Sequence, residues 1–309
     1  MAHHVRGRFG QGFAEQAGRV ENMRSGHRDD SIRGFCKRLT RRITRWPRPR
    51  PEERAGQPCV TPLYGALLPE LNAHAGGVFF PNEAHIDGRA FTEALIHRVE
   101  RLGATSIFGD RVIALKTQGD RVVGVESSSG VQFAGHVVLA TGASTEALTR
   151  SVGLKLPLAG AKGYIVDLEP GLEDARVPIG LKDDMAVATP YTDRVRLAGT
   201  LELVGNDLTP NYGRIRTIRQ AAVKALPYLA ERKVIRIGVG MRPCSADGLP
   251  IVGPTRAAEG LSIATGHGQQ GIVLAPATGQ LIADQLTADA DPMSTADLSP
   301  DRFRRMPGP

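Results

Sequence analysis

The stretch from Gly260 to Leu286, GLSIATGHGQQGIVLAPATGQLIADQL, constrains the fold more than any other part of the chain. Leu261-Ser262-Ile263-Ala264 is a short apolar run bounded by glycine, the pattern of a buried strand. Gly266, Gly268 and Gly271 carry no Cβ, so the backbone there can turn tightly and approach another group closely. An amphipathic helix follows, with Leu274, Leu281, Ile282 and Leu286 on one face. Pro276 fits that helix only near its first turn, where a missing N–H is not needed. A strand, a glycine turn and a helix start together aim free backbone N–H groups and a positive helix end at an electron-rich ligand.

Four motifs run in order, two before this unit and two within it. Gly240-Met241-Arg242-Pro243 comes first, then Asp247-Gly248-Leu249-Pro250-Ile251-Val252-Gly253. Gly266-His267-Gly268 and Ala275-Pro276-Ala277-Thr278-Gly279 follow. The series resembles the C-terminal half of the flavin-dependent D-amino-acid oxidase superfamily, most closely the bacterial D-amino-acid dehydrogenases. The resemblance runs from about Gly76 to Leu286. It implies an α/β fold with an incomplete Rossmann-like FAD-binding domain and a substrate domain built on an antiparallel sheet. The domain reading is a basic tail over 1–60, a discontinuous FAD-binding domain over 76–155 and 240–287, a substrate domain over 156–239 and a C-terminal tail over 288–309.

Charge is unevenly placed. Of 39 Lys and Arg residues, 14 fall in residues 1–58, against 6 of the 32 acidic ones; the remaining 25 and 26 nearly cancel. A basic excess confined to one tail argues against a nucleic-acid-binding protein. The segment from Arg41 to Pro51 is broken by prolines and has no apolar period, so disorder is expected. Cys36, Cys59 and Cys244 are odd in number and far apart, with no metal-ligand spacing, which favours isolated thiols in a reducing compartment and no metal site. No run approaches the roughly 18 apolar residues of a spanning helix. The expected location is cytoplasmic, with peripheral association at the inner face of the plasma membrane open.

In the resembling family a strand, a GxGxxG turn and a helix open the chain and hold the ADP part of FAD. In the first 75 residues the nearest match is Gly10-Gln11-Gly12, which has no apolar strand before it and lacks the third glycine. The chain is therefore read as lacking that unit and is expected to bind FAD poorly or not at all.

Between Gly76 and Arg150, Gly77 to Phe80 reads as a strand and Asp87 as the N-cap of a helix carrying Phe91, Leu95, Val99 and Leu102. Val112 to Leu115, Val122 to Val125 and Val131 to Phe133 read as a β-meander, with a turn at Gly119-Asp120. Val137 to Leu139 is a strand ending in Ala140-Thr141-Gly142, with a short helix from about Ser144. Further on, Lys162-Gly163-Tyr164 opens a strand of the substrate domain. Two more strands flank the turn Tyr191-Thr192-Asp193, and in the second Val195 and Leu197 face one way and the arginines face a wet side. A helix from Tyr212 carries Ile215, Ile218, Ala222 and Leu226, with Arg214, Arg216 and Arg219 on its solvated face.

A substrate carboxylate held near an apolar ring needs a fixed cation, and the planar arginine fork binds both oxygens. Arg242, read as following a strand and fixed in direction by Pro243, is the candidate. The resemblance gives Arg242 the substrate carboxylate and sets Tyr164 and Gln269 beside the substrate. It also places Ala140, Thr141, Gly142, Gly266, His267, Gly268, Gln270, Gly271 and Ile272 at FAD, with His267 supporting the turn rather than acting as a base. The implied reaction is FAD-dependent oxidation of a D-amino acid to an imino acid, which water converts to a 2-oxo acid and ammonia. Its electrons would pass to a quinone or another carrier. A glycine or sarcosine-type oxidase shares these motifs, and an inactive remnant without flavin is the rival from outside enzymology.

Overall fold

The computed structural model describes residues 59–60, 78–80, 83–172, 174–287 and 296–304. The expectations for Gly10-Gln11-Gly12 and for the proline-broken segment fall outside these residues. The elements below belong to the unit formed by residues 57–80 and 87–309. Its first strands, β1 (Cys59–Val60) and β2 (Val78–Phe79), pair antiparallel.

Asp87 caps helix α1 (Gly88–Glu100) as expected, its Oδ1 accepting from the N–H groups of Arg89 and Ala90 at 3.0 and 3.3 Å. The apolar stripe expected to bury this helix does not do so. No α1 residue is buried, and Val99 and Leu102 are 43% and 65% exposed. The meander forms as read, with β3 (Val112–Gln118), β4 (Arg121–Ser127) and β5 (Gly130–Phe133) in one antiparallel sheet. Gly119 takes φ +58° in its first turn, a conformation that favours glycine. Asp110 pins the β4–β5 turn by accepting from the hydroxyls of Ser127, Ser128 and Ser129 at 2.7, 2.7 and 2.5 Å.

Strand β6 (Val137–Leu139) leads through a tight turn at Gly142 into α2 (Thr145–Thr149). The substrate-side sheet follows. Its strands are β7 (Leu158–Leu168), β8 (Ile179–Leu181), β9 (Ala186–Pro190), β10 (Val195–Leu203) and β11 (Val234–Ser245), in the order β11-β7-β10-β9-β8 with every pair antiparallel. Helix α3 (Tyr212–Ala225) sits on this sheet through Ile215, Ile218, Ala221 and Ala222, and Leu226 is buried just past its end.

Two readings change here. The arginines at the start of β10 do not face water: Arg196 grips Asp167 with two hydrogen bonds of 2.7 and 2.9 Å, and Arg194, just before the strand, pairs with Asp87 at 2.5 Å. Charge patterning therefore marked an ion-paired face rather than a wet one. The boundary set at 239/240 falls inside β11, which stays paired with β7 from Val234 to Ser245.

The last sheet has the order β12-β13-β6, with β12 (Ile251–Pro254) antiparallel to β13 (Leu261–Thr265) and β13 parallel to β6. Leu139, Ile251, Leu261 and Ile263 form its core with Val122 and Leu154. Helix α4 (Gly271–Leu286) begins five residues before Pro276, so that proline lies inside the helix and not in its first turn. Its missing N–H would have met the carbonyl of Ile272. Of the four apolar residues expected on the packed face of α4, only Ile282 is buried, and Leu286 is 48% exposed. Part of the expected C-terminal tail is folded. Phe303 is buried in the core, Asp301 accepts from Thr255 Oγ1 at 2.8 Å, and Arg302 clasps Asp247 at 2.8 and 3.1 Å. Among the described residues, no helix is long and apolar enough to cross a membrane.

Candidate active site

Arg242 and Pro243 lie within β11, not after it. A proline is tolerated there because β11 is the edge strand of its sheet, where one row of N–H groups needs no partner. Arg242 stands opposite Ala161 of β7, and Gly240 stands opposite Gly163. Paired residues across an antiparallel ladder share a face. The side chain of Arg242 leans along that face until its guanidinium fills the space a Cβ on Gly163 would take. Its Nη1 donates to the Thr200 carbonyl at 3.4 Å. Thr200 sits where the β10 register slips between Gly199 and Glu202, with φ +66°, an uncommon conformation for a β-branched residue.

The electrostatics of Arg242 differ from those of its neighbours. Lys162 lies 3.9 Å from Glu202 and 3.5 Å from Asp207, and Arg194 and Arg196 have the carboxylates described above. Arg242 is half-buried, and among the described residues no carboxylate lies within ion-pair distance of it. Burial pushes its guanidinium below the ordinary arginine value, opposed by the nearby Cys244. A cation drawn out of water without a counter-charge is costly, which makes this place suited to an incoming anion.

Two glycine turns flank it. Thr265 Oγ1, at the end of β13, donates to the Gly142 carbonyl at 2.9 Å and ties the turn after β6 to the turn after β13. A Cβ on Gly142 would lie 4.0 Å from the Pro243 ring, and one on Gly268 would lie 3.9 Å from Cys244 Sγ. Cys244 and His267 form a β-bridge, so the end of β11 and both turns converge. Gly142, Gly266 and Gly268 have φ of +59°, +79° and +55°, all in the region that favours glycine. Gln270 makes no side-chain cap, which leaves the first N–H groups of α4 without that partner. His267 Nε2 and Thr278 Oγ1 lie 2.8 Å apart, and burial holds the imidazole below its usual value. This histidine braces the turn against α4.

The structure thus gathers Gly142, Arg242, Gly266, His267, Gly268 and Gly271. Ala140 and Thr141 are exposed at the end of β6, and Gln269, Gln270 and Ile272 are exposed around the start of α4. Ile272 reaches toward Gly88 at the start of α1. Tyr164 is a correction. Successive residues of a strand point to opposite faces, so Tyr164 faces away from Gly163 and Arg242. It is 1% exposed, and its hydroxyl donates to Glu202 Oε2 at 2.5 Å. A glycine between Lys162 and Tyr164 inside a strand pattern was the available signal for the close approach at Gly163. Nothing in the local sequence announces the bulge at Thr200. A separate cleft of about 450 Å³ is lined by Asp87, Arg89, Asp167, Arg194 and Arg236 among others. Arg194 there is shared among Asp87, Asp167 and Asp193, so the cleft presents little concentrated charge.

The resemblance implies FAD, and the side chains present can be tested against it. A flat ring needs a face without side chains and N–H donors at its polar edge. A Cβ at Gly240 would meet nothing within 4 Å, and the start of α4 supplies donors and a positive helix end. These features fit the ring end of FAD with a carboxylate beside it. For the pyrophosphate, Gly266, Gly268 and Gly271 have GxGxxG spacing between β13 and α4, and no second turn of that spacing occurs among the described residues.

Comparison with known proteins agrees with this geometry. The family model described as FAD dependent oxidoreductase, DAO, matches residues 36–285. That match begins 40 residues before Gly76, inside the segment read as a basic tail. A D-amino acid dehydrogenase of Methylobacterium nodulans is 34% identical over 253 residues, covering 81% of this chain and 58% of the relative. The chain therefore spans less than two thirds of that relative's length. Among solved structures, the glycine oxidase of Bacillus cereus is 26% identical with a TM-score of 0.65, covering 70% of this chain and 60% of that one. The L-proline dehydrogenase of P. horikoshii shares the fold at 22% identity with a TM-score of 0.72, covering 81% of this chain and 69% of that one. The chain belongs to the DAO family of FAD dependent oxidoreductases.

Proposed function

We propose that this chain carries the substrate-binding side of an FAD-dependent amino acid oxidoreductase of the D-amino-acid dehydrogenase type. The reading rests on Arg242, a half-buried guanidinium with no carboxylate partner among the described residues, set between two glycine turns. FAD, when bound, supplies the two-electron acceptor for oxidation of the substrate C–N bond. Gly142 and the segment from Gly266 to Ile272 would hold its ring end. Arg242 binds the substrate carboxylate through its fork and so fixes the Cα–H relative to the glycine-lined face. His267, a weaker base through burial and committed to Thr278, is assigned to the turn and not to proton transfer. The amine enters neutral and leaves as an imine, so no strong side-chain base is required. Water then gives the 2-oxo acid and ammonia. The electrons go on to a quinone or another carrier, and the site of action is cytoplasmic or at the inner membrane face.

A glycine or sarcosine-type oxidase is the second reading, favoured by the absence of any side chain at Gly240 and by the 26% identity to a glycine oxidase. Profiling turnover of D-alanine, D-proline, glycine and sarcosine with added FAD separates the two. Preference for D-alanine or D-proline supports the dehydrogenase type, whereas preference for glycine or sarcosine replaces it with the oxidase.

A further inference from the structure

We propose that Gly163 is a positioning residue for Arg242, together with the carbonyl of Thr200; this rests on the reading of Arg242 as the carboxylate anchor. Gly163 lies in β7 between Lys162 and Tyr164, both buried, in a strand with neighbours on both sides. Its φ is outside the left-handed region, so the backbone itself does not call for glycine. Glycine in a strand interior forgoes packing and costs conformational entropy. The two same-face neighbours on β7, Ala161 and Ile165, both carry side chains.

The compensation is visible across the ladder. The three nearest atoms that a Cβ on Gly163 would meet are Nη1, Cζ and Nη2 of Arg242, all close enough to overlap. The guanidinium therefore occupies the space over the β7 backbone at Gly163, held there by the bond from Nη1 to the Thr200 carbonyl. That carbonyl points at Arg242 because Thr200 is held at φ +66° in the β10 bulge. No other hydrogen bond of this guanidinium occurs among the described residues, so the remaining donors stay available to a carboxylate. Arg232 supplies the contrast. It also covers a glycine, Gly171, but it has Asp174 at 3.7 Å and the Pro170 carbonyl at 3.2 Å. An arginine laid over a glycine for structure alone thus has its own acceptor side chain, and Arg242 does not.

The test uses the full 309-residue chain. Benzoate serves as a carboxylate probe, followed by the Arg242 Nε–H resonance, which is assigned through its loss in Arg242→Lys. The expected result is that Gly163→Ala folds with a melting temperature no lower than the parent, since the nearest atoms in the way belong to the end of a flexible side chain. Its benzoate affinity falls at least about tenfold, the Nε–H resonance no longer responds to benzoate, and adding Arg242→Lys causes little further loss. Unchanged benzoate affinity in Gly163→Ala, with a clear loss in Arg242→Lys, overturns the positioning role and leaves the anchor reading standing. Unchanged affinity in both variants overturns both. Should Gly163→Ala lose its fold, the Gly163→Ala/Arg242→Ala double variant decides the matter. Recovery of the fold shows that the two groups compete for one space, and no recovery overturns the proposal.

Discussion

The guanidinium of Arg242 rests on the backbone of Gly163, while the adjacent Tyr164 points to the opposite face of the same sheet. One residue of strand register thus separates the candidate carboxylate site from a closed polar cluster of Lys162, Tyr164, Glu202 and Asp207. With Arg214 on Glu202 the cluster is internally neutralised, and the site is not. On the proposed reading, Arg242 binds the ligand and Tyr164 belongs to the frame.

Tyr164→Phe should therefore leave carboxylate binding within about twofold of the parent. It removes the hydroxyl that serves Glu202 at 2.5 Å and accepts from the Asn211 N–H at 3.3 Å. Leaving those groups short of a partner should cost about 1.5 kcal/mol of stability. Urea unfolding and a benzoate titration on the same preparation check both halves, and a large loss of affinity would return Tyr164 to the site.

Asp87 does two jobs, capping α1 and pairing with Arg194. Burial alone would raise its carboxyl, but the hydrogen bond and charge of Arg194 and the N–H groups of Ala90 and Arg89 together outweigh this and hold it below the ordinary range. Asp87→Ala removes the cap and half-strands a partly buried arginine, for a loss of about 2 kcal/mol. Asp87→Asn keeps an acceptor for the cap and should lose about half as much. Equal losses in the two variants would show that the cap contributes nothing.

Asp110 supplies the pH dependence. The hydroxyls of Ser129, Ser128 and Ser127 hold its carboxyl well below the usual range. A depressed carboxyl contributes stability that is present above the unfolded value of about 3.9 and is lost as pH falls through the folded value. The gap in melting temperature between the parent and Asp110→Asn should stay constant from neutral pH down to about pH 5 and shrink below about pH 4. A gap that widens on acidification would contradict this account.

FAD should bind the 309-residue chain more weakly than micromolar. The proposed ring site uses the start of α4, and among the described residues no second GxGxxG turn offers N–H groups to the pyrophosphate. Quenching of flavin fluorescence during titration measures this directly. Stoichiometric binding at micromolar FAD would mean that the account of the nucleotide end is wrong.

Much of the fold was legible because its signals are local. Asp87 and the segment from Tyr212 to Leu226 announced their helices by cap and period, and Gly119-Asp120 announced its turn. Exposure was less legible. The apolar faces of α1 and α4 looked like core, yet Val99, Leu102 and Leu286 remain exposed, because periodicity shows which residues share a face and not what covers it. Arg194 and Arg196 looked solvated because their partners, Asp87 and Asp167, lie far away in the sequence. The motif singles out Arg242 as a candidate, whereas no motif singles out Gly163 or Thr200. Gly163 and Thr200 meet Arg242 only once β7, β10 and β11 are in register.

Flavin reduction by a D-amino acid tests the central claim most directly. With FAD in excess of its dissociation constant and oxygen excluded, D-alanine or D-proline should bleach the visible flavin absorbance. In Arg242→Lys, loss of the bidentate contact should lower the apparent second-order rate more than about tenfold, equivalent to about 2 kcal/mol. Equal rates in the parent and in Arg242→Lys would contradict the assignment of Arg242 as the carboxylate anchor.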